Sequence, residues 1–401
     1  MADISQSSSF LLPILVIIAY ALGVASTIWL FPWLKRTAVY IFTRCASDSN
    51  DNNDGQKIDV TQDASLYGLD HAVLNIRLPP TTMWMNMGYW KHVNDAQFPE
   101  ACAALLERVL ESAGLRSINM VGDEATLNQS SIQDTQATRK RRVLLDLGIG
   151  CGEQTMHLMM NSARSSARFD QYIGVTLDKV QYEFAQKRLN EKIERKQQEV
   201  SKSGLSEADR NIRLFCADAA QPSTWSRGLK EAVSTAFLTH DCENDGNNVE
   251  RYVLGLDTLY HFHPSRREIF KYTHSTLRAN LLAFDLFLAT PGPSNLQRAL
   301  NTLFLRLLTP ALGAPFKNFV TQDAYKSQLE EAGYLAKNIT IEDITDDVFA
   351  GLARFLDTRH QEMAGMGLSG FTKWQVAGWL FKWLSSGGIL RAGIIIANWE
   401  G

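Results

Sequence analysis

The sequence predicts an α/β fold: a mostly parallel sheet of seven strands with helices on both faces, preceded by an N-terminal transmembrane helix. Three observations lead there. Beyond residue 140, short apolar runs alternate with amphipathic stretches of helical period. The first of those runs passes into a glycine turn, VLLDLGIGCGE from Val143 to Glu153. Near the start of the chain, Phe10 to Leu34 is apolar and uncharged. At about 1.5 Å per residue that stretch exceeds a hydrocarbon core of roughly 30 Å.

Strands are expected at 143–147, 172–176, 213–217, 252–257, 280–288, 338–343 and 392–398. The first four carry polar residues at or just past their carboxyl ends: Asp146, Thr176, Asp218 and Asp257. In a parallel sheet those ends share one edge, where ligands bind. Gly148, Gly150 and Gly152 leave the turn after the first strand without side chains, so a ligand can lie against backbone N–H groups. Their spacing is not the G-x-G-x-x-G of dinucleotide sites, which disfavours a hydride-transfer enzyme.

Two further motifs narrow the reading. GVTLDKVQ spans Gly174 to Gln181, and NMGYW spans Asn86 to Trp90. Taken with the strand pattern, they resemble the Rossmann-like S-adenosylmethionine-dependent methyltransferases over roughly residues 80 to 400. The first is similar to the second-strand motif of the cyclopropane-fatty-acid synthase, sterol and tocopherol methyltransferase group, with Asp178 where that group often has serine. The second resembles an element that precedes the core in many small-molecule methyltransferases.

The resemblance implies S-adenosyl-L-methionine as cofactor. Asp146 would set its ammonium, directly or through water, while Gly148, Gly150 and Gly152 admit it to the backbone. Thr176 and Leu177 would occupy the ribose region, with Gln181 a turn later as a further contact. Asp178 either supplies a carboxylate there or caps the following helix. Asp218 would accept from the adenine amino group, with Ala219 beside it.

Methyl transfer from a sulfonium is an in-line displacement, so positioning and exclusion of water dominate. A base helps when the acceptor is a hydroxyl or a protonated amine. Candidates are Asp257, Tyr260, His261 and His263 at the end of the fourth strand, with His261 preferred and a backbone-bonded structural histidine as its alternative. Tyr89 and Trp90 would close an aromatic rim over the ligand, or simply pack.

Composition excludes other classes. The chain has 401 residues and a net charge of −3, with no basic field for nucleic acid. Its five cysteines have no paired or metal-ligand spacing, so neither a disulfide framework nor a metal site is expected. Cys151 and Cys216 read as packing residues.

The expected organisation is an anchor at 1–36, a juxtamembrane segment and polar linker at 37–56, an N-terminal helical region at 57–140 and a methyltransferase core at 141–401. A helix from about Glu100 to Ala113 buries Ala101, Leu105, Val109 and Leu110. Residues 196–211 and 239–250 read as polar loop insertions. An insertion at about 292–318 is either a core helix hairpin or an apolar cap over the acceptor pocket that touches the membrane. Residues 374–399 read as a helix, a turn at Gly387 and Gly388, and the last strand. Lys35, Arg36 and Arg44 follow the anchor, which places the catalytic domain in the cytosol at a single-pass membrane site, with the endoplasmic reticulum expected. Asn128 and Asn338 head glycosylation sequons that would stay unmodified in that topology. The expected acceptor is a lipophilic small molecule (sterol-, terpenoid- or polyketide-like), with a lean to O-methylation. A soluble metabolite, or a non-catalytic adenosylmethionine-binding scaffold, is the alternative. Oligomeric state is not legible.

Overall fold

The chain divides into two units, residues 1–63 and 64–401. The structure, a computed structural model, describes residues 82–91, 97–115, 140–160, 167–199, 211–238, 249–289, 295–311, 313–365, 372–386 and 389–400, all within the second unit. The expected anchor at 1–36 and the linker at 37–56 lie outside them. Among the described residues no helix is long and apolar enough to cross a membrane.

Short runs of Val, Ile, Leu and Phe form the sheet, because β-branched and aromatic side chains pack well on a pleated surface. β1 (Arg141–Leu147), β2 (Gln171–Thr176), β3 (Ile212–Cys216), β4 (Val249–Leu256) and β5 (Asn280–Leu288) are paired parallel to one another. β7 (Leu390–Ala397) runs antiparallel between β5 and β6 (Ile339–Asp343). The order is β3-β2-β1-β4-β5-β7-β6. Strand order therefore reverses between β1 and β4, where successive connections leave toward opposite sides. A crevice opens beyond the carboxyl ends of two such strands.

The helices are α1 (Phe98–Ser112), α2 (Glu153–Thr155, running on as a π-helical turn Met156–Met160), α3 (Lys179–Glu199), α4 (Arg227–Phe237), α5 (Arg267–Lys271, followed by a π-helical turn Tyr272–Thr276), α6 (Asn295–Ala311), α7 (Gln322–Ala332), α8 (Thr345–Gly365) and α9 (Thr372–Ser385). Alternation along the strands sends side chains to two cores. Val143, Leu145 and Leu147 pack with Leu229 and Val233 of α4, Phe270 of α5 and Leu329 of α7. Leu144, Leu254, Leu282 and Phe284 pack with Leu105 and Val109 of α1 and Phe349 and Leu352 of α8. Each fully buried Leu or Phe contributes about 1.5–3 kcal/mol.

Every expected strand is present, 280–288 with the expected bounds and the others with ends moved by at most three residues. Ala101, Leu105, Val109 and Leu110 of α1 are all fully buried, as their spacing predicts. Two segments differ from expectation. Residues expected to begin a loop at 196 instead continue α3 to Glu199. Lys, Gln and Glu there are good helix formers, so a polar run extends the helix instead of ending it. The insertion at 292–318 is one helix, α6, followed by a 3₁₀ turn Phe316–Asn318, not a core hairpin. Leu300, Leu303 and Leu307 on α6 are exposed.

Candidate active site

The turn after β1 needs glycine for backbone reasons. Gly148, Gly150 and Gly152 have φ of 78°, 53° and 83°, the left-handed region that costs other residues strain. Space decides the rest. A Cβ on Gly148 would lie 2.4 Å from Thr258 Oγ1, and one on Gly152 would lie 2.9 Å from Ala185 Cβ of α3. At Gly150 it would meet only the end of Met85, at 3.0 Å from Cε. The N–H groups of Gly148 and Ile149 both donate to Val175 O, at 2.8 and 3.1 Å, locking the turn to β2. Close contact with Thr258, Met85 and Ala185, together with the positive φ, is what keeps these three positions glycine.

Asp146 sits under the turn and is fully buried. Gln154 Nε2 donates to its Oδ1 at 2.7 Å, and Tyr172 OH donates to its Oδ2 at 2.6 Å. The Tyr172 oxygen lies 2.8 Å from Thr155 Oγ1, so with Tyr172 donating to Asp146, Thr155 donates to Tyr172. Burial pushes the Asp146 carboxyl up to about 7, against the pull of Tyr172 and Gln154. Beside it, buried Glu153 accepts from Met83 N at 2.9 Å and pairs with Arg188 of α3. Asp146 is thus the hub of a network that orients the first turn of α2. Gln154, Thr155 and Tyr172 were not singled out from the sequence, although the first two directly follow the glycine turn.

At the end of β2, Thr176 is buried and its hydroxyl donates to Gln181 Oε1 at 3.1 Å. Asp178 Oδ1 accepts from Gln181 N at 2.8 Å, which is the helix-cap alternative for that residue. Leu177 between them is 71% exposed and Val180 53% exposed, an apolar ledge on the same edge. At the end of β3, Asp218 Oδ1 accepts from Ala220 N and Oδ2 from Gln221 Nε2, each at 2.9 Å, with buried Ala219 adjoining. Each carboxylate oxygen keeps a second lone pair for a ligand donor.

The end of β4 carries the polar cluster. Asp257, at φ 59°, is buried; Tyr260 OH donates to its Oδ1 and Met87 N to its Oδ2, both at 2.9 Å. Burial raises this carboxyl to about 7 as well. Tyr260 is buried, so its hydroxyl serves Asp257. His261 packs against Tyr260 with ring centroids 4.1 Å apart and planes tilted by 40°, and its Nδ1 lies 3.3 Å from Gly313 O. Burial lowers the imidazole to about 4, keeping it neutral near pH 7. With Nδ1–H directed at Gly313, Nε2 carries the lone pair. Exposed His263 donates from Nδ1 to His261 O at 2.8 Å, which steadies the His261 backbone.

Residues 82–91 form a strap over this edge. Met83 N is held by Glu153 after β1 and Met87 N by Asp257 after β4, so the strap spans the switch point. Trp90 is buried against Phe355 of α8 (centroids 5.5 Å apart), and its Nε1 donates to Met87 O at 2.9 Å. Packing is therefore its role. Tyr89 is partly buried, with its hydroxyl beside Asp347; burial and that carboxylate raise the phenol. The structure thus brings Tyr260 and His261 together and places the Tyr89 hydroxyl at the start of α8.

Behind the cluster lies an ion pair that sequence reading missed. Arg266 and Asp285 are both fully buried, with Nη1 to Oδ2 at 2.6 Å. Tyr325 OH also donates to Asp285 Oδ2, and Arg266 Nη2 donates to Asn318 O at 2.7 Å. Asn318 Nδ2 in turn donates to Tyr260 O and Phe262 O, at 3.0 and 2.8 Å. This network fixes the backbone that carries His261. Buried Cys151, whose thiol is pushed up to about 12, suits packing rather than nucleophilic attack.

No protein-family profile matches the chain, and no curated protein matches it. Solved structures do. The cyclopropane synthase MmaA2 from Mycobacterium tuberculosis aligns over 82% of this chain and 94% of its own, with a TM-score of 0.49 and 15% identity. The mycolic acid cyclopropane synthase CmaA1, complexed with SAH and CTAB, aligns over 82% and 93%, with 0.47 and 14%. The [4+2]-cyclase SpnF aligns over 82% and 93%, with 0.46 and 16%. At such identities function must be argued from this chain's own site. In fold, the chain is similar to these solved enzymes.

Proposed function

We propose that the chain is an S-adenosylmethionine-dependent methyltransferase acting on a lipophilic small molecule. One observation carries this reading: the glycine cradle, Thr176–Gln181, Asp218 and the Asp257–His261 cluster converge on the edge where strand order reverses. When bound, adenosylmethionine supplies an activated methyl group on a sulfonium. The residues that would hold it are Gly148, Gly150 and Gly152 at its amino-acid end, with Asp146 placed below. Thr176, Leu177 and Gln181 would hold the ribose, and Asp218 with Ala219 the adenine.

Neutral His261 carries its lone pair on Nε2, a buried atom, and an acceptor hydroxyl seated against it would hand over its proton there, which favours O-methylation. Tyr260 orients that ring by packing against it, and Asp257 orients Tyr260. The apolar stretch Phe10–Leu34 supports a single-pass anchor with the catalytic domain on the cytosolic side, at the endoplasmic reticulum. In that topology Asn338 stays unglycosylated and the expressed protein keeps its mobility after glycosidase treatment; a shift would reverse the orientation.

Titration calorimetry of the full chain with adenosylmethionine and adenosylhomocysteine tests the cofactor assignment. Both should bind, and Asp146→Ala should weaken both strongly. Equal binding by the variant would remove Asp146 from the site, and no binding by the wild-type chain would remove the cofactor.

A further inference from the structure

The helices α6 and α9 carry an apolar surface that the catalytic reading does not use. On α6, Leu300, Leu303 and Leu307 are 40%, 56% and 54% exposed and recur at helical spacing on one face. On α9, Val376, Trp379 and Trp383 do the same, with Trp379 69% exposed. Phe304, on the α6 stripe, meets Trp383 with ring centroids 4.6 Å apart, so the two stripes join into one surface. Exposed apolar area of this extent on a folded chain marks an interaction site.

Charge selects the occupant. The stretches 295–318 and 372–386 contain Arg298, Arg306, Lys317, Lys373 and Lys382, and neither contains an Asp or Glu. The chain as a whole is net negative, at −3. Arg306, Lys317 and Lys382 are exposed, and the Arg306 guanidinium lies 5.3 Å from the Phe316 ring centroid at the edge of the α6 stripe. A second copy docking face to face would set these cations against their own images, which an isologous interface disfavours. Two helical stretches that pair Leu and Trp with Lys and Arg and contain no acid of their own have the composition of helices lying in the headgroup layer of an anionic bilayer. Tryptophan favours that layer and long cationic side chains reach its phosphates.

We infer that α6 and α9 together form a docking face for an anionic lipid surface. The inference rests on these two helices and is independent of the methyltransferase reading. Docking would lay the helix that follows β5 along the bilayer.

The test uses the full chain in vesicles of phosphatidylcholine with phosphatidylserine, with and without lipid bearing a doxyl quencher at a shallow acyl position. Subtracting the emission of Trp379→Phe/Trp383→Phe from that of the wild type isolates the two tryptophans. Their emission should be blue-shifted and mostly lost to the quencher. Neutralising Arg306, Lys317 and Lys382 to Gln should restore most of it, since each cation strengthens contact with an anionic surface about fivefold. Adenosylmethionine affinity measured on the same samples should not change. Unquenched, water-like emission at all lipid compositions would overturn the inference. So would a blue shift that depends on protein concentration but not on quencher, because that is the mark of a second copy. Quenching unchanged in the neutralised variant, or in vesicles of phosphatidylcholine alone, would overturn the anionic preference.

Discussion

Replacing Asp146 by asparagine should separate what the buried carboxyl does for stability from what it does for the cofactor. The folded group holds its proton to about 7, against an ordinary value of 3.8. A raised carboxyl stabilises least when ionised. Wild-type stability from this group is therefore greatest below about pH 4 and falls as pH rises toward 7. Three units at 1.36 kcal/mol each make that loss about 4 kcal/mol. Asparagine cannot ionise. It keeps an acceptor for Tyr172 OH, and the Gln154 amide can turn to accept from the new amide. Asp146→Asn minus wild type should thus be near zero at acid pH and grow to about 4 kcal/mol in the variant's favour above pH 7. Asp257 titrates alike in both proteins and cancels. Cofactor binding should move the other way. Losing a charge-assisted contact of about 1.5–3 kcal/mol lowers affinity roughly 10- to 150-fold at pH 7.5. Urea unfolding from about pH 4.5 to 8, with calorimetric binding at the upper end, measures both. Stability curves that run parallel at every pH would refute the account of Asp146 as a proton-holding buried carboxyl.

Three further outcomes are expected. Gly148→Ala puts a Cβ 2.4 Å from Thr258 Oγ1 at positive φ and should cost about 2–4 kcal/mol in thermal unfolding, whereas Gly150→Ala meets only the flexible end of Met85 and should cost about 1–2 kcal/mol; equal losses would contradict the packing described. Arg266→Met strands the buried Asp285 carboxylate and should cost about 3–5 kcal/mol, while adding Asp285→Leu should recover most of that loss; a double variant no more stable than the single one would exclude an uncompensated charge as the cause. His261→Ala should lower the transfer rate about 10²- to 10⁴-fold with little change in cofactor affinity, and with adenosylmethionine saturating, so that protonation of Asp146 at about 7 no longer limits binding, the acid limb of wild-type kcat should lie near pH 4 to 5, because burial holds the imidazole down to about 4. Undiminished activity in that variant would return His261 to a structural role.

The sheet was legible because strand formation and the glycine turn are local. Apolar runs of the right length end at the acids and threonine that reach the carboxyl edge, and α1 shows its stripe at helical spacing. Asp178 could be weighed as a cap because capping depends on residues three apart. What stayed hidden depends on contacts across the chain. Nothing near Asp146 in the sequence predicts Tyr172 as its partner, since β1 and β2 must first align in register. Arg266 and Asp285 look like surface charges until α5, β5 and α7 pack together. For Tyr89 and Trp90 the sequence leaves a ligand rim and plain packing both open. Their actual neighbours, Asp347 and Phe355, belong to α8, a helix whose mixed pattern had not declared itself.

The most direct test of methyl transfer is to supply labelled adenosylmethionine to membranes bearing the full-length chain, together with an organic-solvent extract of the source cells, and to follow the label. The account predicts label in a solvent-extractable product, absent with Asp146→Ala and strongly reduced with His261→Ala. Cofactor binding without label in any fraction, organic or aqueous, would contradict it.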